Sequence, residues 1–152
     1  MKIKFWICFA LSLLVPGLFF ITGCIQTTTQ TNSSPETTIK PVSDVPSIDT
    51  PEAYALIQKN TGNPDFIILD VRTPDEFNNG HIANAVLIDY YSPEFKSNIS
   101  KLDKDKQYLV YCRTDNRSTA AVRLMLDLGF REVQNLIGGI EKWIQDGYPT
   151  VK

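Results

Sequence analysis

The chain is poor in thiols and imidazoles. Its 152 residues hold one histidine, His81, and three cysteines. Cys8 and Cys24 both fall within the first 24 residues, so Cys112 is the one thiol of everything downstream and no internal disulfide can form there. There is no block of basic residues, which argues against a nucleic-acid partner, and no acidic tail or internal repeat. Formal net charge is −2, and the apolar fraction, 43%, supplies one globular core at this length but leaves no room for a second domain.

What is present begins with a leader. Lys2 and Lys4 precede an apolar run over residues 5–21, and Thr22-Gly23-Cys24 follows: a charged n-region, an h-region and a small-residue cleavage site. Ile21-Thr22-Gly23-Cys24 resembles the lipobox of prokaryotic lipoproteins, in which the cysteine is lipidated and becomes the first mature residue. That resemblance implies a signal peptide over residues 1–23, a lipid on Cys24 and an extracytoplasmic domain anchored to the cell membrane. The alternative is an uncleaved anchor over residues 5–25, just long enough to span a bilayer, with the lysines inside and the domain outside. Residues 24–44 follow Cys24 with Thr, Ser, Gln and Pro and read as a disordered tether too polar to bury a core. About 20 such residues, fully extended, reach roughly 70 Å. The folded domain is expected over residues 45–152.

From Val45 onward strand and helix signals alternate. Strands are expected at residues 45–48, 65–71, 85–88, 107–111 and 133–136. The second is a continuous apolar run, the mark of a strand buried on both faces. Helices are expected at residues 51–59, capped by Thr50 with Pro51 at the first position, at 74–79 closed by Gly80, at 93–100, at 118–128 ended by Gly129, and at 140–146. Alternation of this kind predicts a three-layer α/β domain, with a mostly parallel five-stranded sheet flanked by helices. In such sheets ligands bind beyond the carboxyl ends of the strands.

Cys112 stands at one of those ends. Tyr108-Leu109-Val110-Tyr111 delivers it, and Arg113-Thr114-Asp115-Asn116-Arg117 leads into the helix at Ser118. A cysteine between a strand end and a helix N-terminus lies in an anion-binding nest, with loop amides, the helix dipole and two arginines around it. These surroundings favour the thiolate, which is the nucleophilic form. A lone thiol facing an oxidising exterior is a liability unless it is used. Arg117 is placed to fix the loop or to pair with an incoming anion, and Arg113 to point toward solvent.

Three further stretches complete a pattern. Asp70-Val71-Arg72-Thr73-Pro74-Asp75-Glu76-Phe77 with Gly80-His81-Ile82 and Ala85, the loop from Cys112 to Ser118, and Gly129-Phe130, Gly138-Gly139, Trp143 and Gly147-Tyr148-Pro149 together resemble the rhodanese-like family over about residues 45–150. The resemblance implies a sulfurtransferase without metal or organic cofactor. Cys112 would accept sulfane sulfur from thiosulfate or a persulfide or polysulfide donor, hold it as a persulfide, and yield it to a thiol or cyanide. Arg113, Thr114, Asp115, Asn116, Arg117 and Ser118 would bind the substrate, with Asp70 and Arg72 supporting the site from behind. His81 reads as a structural hydrogen bonder, Trp143 as core, Glu76 as helix surface or turn support, and Gly138-Gly139 as a close backbone pass beside the site.

One departure bears on substrate. Many loops of the family carry glycine where this chain has Asp115, and the carboxylate adds negative charge to a site built for anions. Two other functions compete. A phosphatase would use a similar cysteine loop, but related phosphatases have Cys-x5-Arg, whereas Cys112 and Arg117 are Cys-x4-Arg, a tighter ring that suits a single sulfur. A persulfide-carrying or sulfide-sensing module that docks to a membrane partner is the non-enzymatic alternative.

Overall fold

A computed structural model describes residues 45–152, so the leader, Cys24 and the tether lie outside the described residues. The elements run β1 (Ser47–Ile48), α1 (Thr50–Lys59), β2 (Phe66–Asp70), α2 (Pro74–Asn78), β3 (Ala85–Leu87), α3 (Phe95–Ser100), β4 (Gln107–Tyr111), α4 (Asn116–Asp127), β5 (Glu132–Leu136) and α5 (Gly139–Gln145). The five strands form one sheet in the order β1-β5-β4-β2-β3, and every pair in it is parallel.

Local chemistry explains most boundaries. Asp49, not Thr50, caps α1 by accepting the Glu52 N–H at 2.9 Å. Thr50 is instead the first helical residue, and its hydroxyl donates to the Asp146 carboxylate, joining the start of α1 to the end of α5. Thr73 and Glu76 form a reciprocal capping box at α2. β1 and α3 each begin two residues later than expected, and α4 begins two residues early, because the turn is made by Asp115 at φ 136° and the helix follows directly.

Strand alternation sorts the core into two layers. Tyr108, Val110 and Cys112 point to the face covered by α3 and α4, where they meet Phe95, Ile99, Ala121, Val122 and Met125. Leu109 and Tyr111 point to the face covered by α1 and α5, with Ala53, Ile140 and Trp143. Each large side chain so buried contributes about 1.5–3 kcal/mol.

The strand order sets the position of the site. From β2 the chain moves outward to β3, and from β4 it moves the opposite way to β5. The switch in direction therefore lies between β2 and β4, whose ends align at Asp70 and Tyr111. Crevices in parallel sheets open at this kind of point, and Cys112 is the next residue. Among the described residues no helix is long and apolar enough to cross a membrane.

Candidate active site

Cys112 is 1% exposed and forms part of the wall of an open cavity of about 300 Å³. Glu76, Tyr91, Arg113, Thr114, Asn116 and Arg117 complete the lining. Ser118, fully buried in the first turn of α4, places its hydroxyl 3.5 Å from Cys112 Sγ and 3.0 Å from the Asp115 carbonyl. It has one proton and two acceptors, so it can follow the charge on the sulfur.

The loop holds its shape through α5. Ile140 N–H donates to the Cys112 carbonyl at 2.9 Å, and Glu141 N–H to the Arg113 carbonyl at 3.1 Å. These peptides are trans, so the N–H groups of Arg113 and Thr114 point the opposite way from the carbonyls, away from α5. The amides of residues 116–118 are the orphan donors at the start of α4, whose ladder opens with Thr119 N–H on the Asp115 carbonyl. Gly139 makes the approach of α5 feasible: a Cβ there would stand 2.5 Å from the Cys112 carbonyl oxygen and 2.6 Å from that of Arg113.

Neither arginine is a bare cation. Arg117 makes a two-pronged pair with Glu76, at 2.8 and 2.7 Å, and its guanidinium lies 5.4 Å from the centre of the Tyr91 ring. The Arg117 hydrogen bonds, aided by those of Thr73, hold the Glu76 carboxyl down at about 2, and Glu76 in turn raises Arg117. Arg113, exposed, pairs with the exposed Glu141 at 3.5 Å. Asp115 does not line the cavity; its carboxylate turns to the Gly138 N–H at 3.5 Å and pairs with neither arginine of the loop.

Asp70 and Arg72 lie behind this surface. Arg72 grips the Asp70 carboxylate, with a shortest contact of 2.6 Å, and donates to the Gly80 carbonyl at 2.8 Å. The Tyr111 hydroxyl accepts the Ile82 N–H at 3.1 Å, and the Arg72 guanidinium lies 5.6 Å from the centre of the Tyr111 ring. Burial first, and the Asp70 charge second, push the Tyr111 phenol far up, so it stays neutral. This network ties the 80–82 turn to the strand that delivers Cys112. His81 does not line the cavity; it is stacked on Phe77 with its Nδ1 3.1 Å from the Phe77 carbonyl. Trp143 is buried, and its indole N–H donates to the Pro149 carbonyl.

Three residues of the site escaped sequence reasoning. Glu76 sits at the third position of a capping box, and that role alone accounts for its spacing. Tyr91 carried one usable signal, its place just beyond the carboxyl end of β3. Glu141 joins the site only because α5 docks on the loop.

A model of the rhodanese-like domain matches residues 50–146. Thiosulfate sulfurtransferase GlpE of Coxiella burnetii is 38% identical over 92 residues, 60% of this chain and 80% of that protein. A protein of Allochromatium vinosum named sulfurtransferase is 31% identical over 100 residues, 66% of this chain and 92% of its own. The crystal structure of a rhodanese-related protein from Thermoplasma volcanium is similar at a TM-score of 0.59 and 36% identity, covering 70% of this chain and 98% of that one.

Proposed function

The chain belongs to the rhodanese-like family, and on that premise we propose that it is a sulfurtransferase working through a persulfide on Cys112. One observation carries the reading: the only thiol of the described residues lies at the switch point of the sheet, in an open cavity, with a serine hydroxyl on its sulfur and the loop carbonyls turned away into α5. The Cys112 thiolate attacks the outer sulfur of a donor such as thiosulfate or a persulfide. The donor's S–S bond breaks, its electron pair leaves with sulfite or thiolate, and a new S–S bond forms on Cys112. The added sulfur extends about 2 Å beyond Sγ, where the loop amides stabilise it as an anion. An acceptor thiolate or cyanide then takes that sulfur and returns the Cys112 thiolate. Cysteine serves both steps because a thiolate is a good nucleophile and a good leaving group. The near-complete burial of Cys112 favours end-on approach by a small terminal sulfur.

In the proposed mechanism Arg117 organises the loop and Arg113 meets the donor. The engagement of Arg117 by Glu76 also argues against phosphate monoesters, which need that guanidinium for their own oxygens. The leader and tether support a lipoprotein held outside the cell membrane, with the domain free to reach a diffusing donor or a partner. A persulfide carrier without steady turnover is the second reading, favoured by the membrane tether; continuous turnover on a small donor excludes it. The test is thiocyanate production from thiosulfate and cyanide by the full chain. Wild type should turn over, and Cys112→Ser should lose activity at least a hundredfold while keeping its fold by circular dichroism. Near-wild-type turnover by that variant would sink the covalent mechanism.

A further inference from the structure

The charge around the cavity is poorly matched to a doubly charged donor. Each arginine of the loop already has a carboxylate: Arg117 has Glu76 in two-pronged contact, and Arg113 has Glu141. Asp115 adds a third carboxylate within the loop itself. The loop side chains and their direct partners therefore carry two positive and three negative charges, a net of minus one before Cys112 loses its proton. Against this stand the loop amides and the start of α4, equivalent to about half a positive charge. The cavity wall also includes Tyr91, 68% exposed, whose ring offers carbon surface that a sulfonate group does not use.

We infer that the site takes its sulfur from a persulfide of low net charge in preference to a dianion such as thiosulfate, and that Glu76 and Glu141 are specificity-determining residues that set this preference by neutralising Arg117 and Arg113. The inference rests on the sulfurtransferase reading above. The Cys112 thiolate attacks the terminal sulfur of R–S–SH. The old S–S bond breaks, its electron pair leaves on R–S⁻, and Cys112–S–SH forms, so no outside oxidant or reductant takes part. The carbon of R lies against Tyr91. A monoanion meets about half the repulsion that a dianion meets from the same carboxylates, and a unit charge several ångströms away in a partly solvated site changes a rate by about three- to tenfold.

The test uses the full chain in single-turnover loading, with added sulfur read by mass on the Cys112 peptide after quenching. The two probes are cysteine persulfide and thiosulfate. Because they differ in intrinsic reactivity, the quantity that decides is how the ratio of their loading rates responds to charge. In Glu141→Gln and in Asp115→Asn the thiosulfate rate should rise about three- to tenfold relative to the persulfide rate, and the gain should shrink at high ionic strength. Glu76→Gln should move the ratio the same way, and the two milder variants keep the test valid if that one unfolds. A ratio unchanged in Glu141→Gln, or moved toward persulfide, overturns the charge argument while leaving sulfur transfer standing, whatever Asp115→Asn does. If neither probe adds sulfur to Cys112, the underlying reading falls, and this inference with it.

Discussion

Glu76 shows how one side chain can serve two structures. Its carboxylate accepts from the Thr73 N–H at 3.1 Å, closing the cap of α2, and takes both prongs of Arg117 from 41 residues away. The carboxyl titrates near 2 in the fold, well below the ordinary value of 4.5. A depressed carboxyl contributes stability that is fully present above the unfolded value and is lost as pH falls through the folded one. Wild type should therefore lose this increment between about pH 4.5 and pH 2. Glu76→Gln should be destabilised at pH 7 by about 1–3 kcal/mol, the range allowing for the partly exposed position of the pair. The gap between the two proteins should close toward pH 2. Urea midpoints measured across this range check it, and a gap independent of pH would mean that the ion pair is not its source.

At the scale of elements, the cysteine loop is a product of α5 as much as of β4 and α4. Gly139 lets the first turn of α5 lie against the Cys112 and Arg113 carbonyls, at φ 58° and with no space for a Cβ. Gly139→Ala should cost at least about 2 kcal/mol, since the clash is with backbone that cannot rotate aside, and the φ is unfavourable as well. Loading of Cys112 should fall more than tenfold, because the carbonyls it displaces are those of the loop. Thermal unfolding together with loading kinetics tests this; full activity in a folded variant would show that α5 does not shape the loop. Much of this architecture was legible in the residues. The spans followed from Pro51, Pro74, Gly80 and Gly129, and from apolar runs that only a doubly covered parallel sheet explains. The place of Cys112 at a strand end was legible for the same reason. The pairing of Arg117 with Glu76 and of Arg113 with Glu141 was not, because it depends on how α2 and α5 dock, which no local pattern encodes. For Asp115 the charge was legible, but its turn toward Gly138 was not, because it comes from the loop backbone at φ 136°.

At the scale of the molecule, the α/β domain is proposed to hang from a lipid on Cys24 by the polar segment over residues 24–44. The anchor and the chemistry are independent in this picture, since Cys24 and Cys112 belong to separate parts of the chain. Cys24→Ala should move the protein from the membrane fraction to a soluble or unprocessed pool and leave Cys112 loading unchanged. Fractionation with labelled lipid checks the first half; a wild-type chain that stays with the membrane but never takes up the label would favour the uncleaved anchor. The proposed Cys112 persulfide can be read from the mass of the Cys112 peptide. Incubated with a sulfane-sulfur donor, that peptide should gain one sulfur, and cyanide should remove it with release of thiocyanate. A Cys112 that stays unmodified while the protein still turns over, or an added sulfur that cyanide cannot remove, would contradict the account.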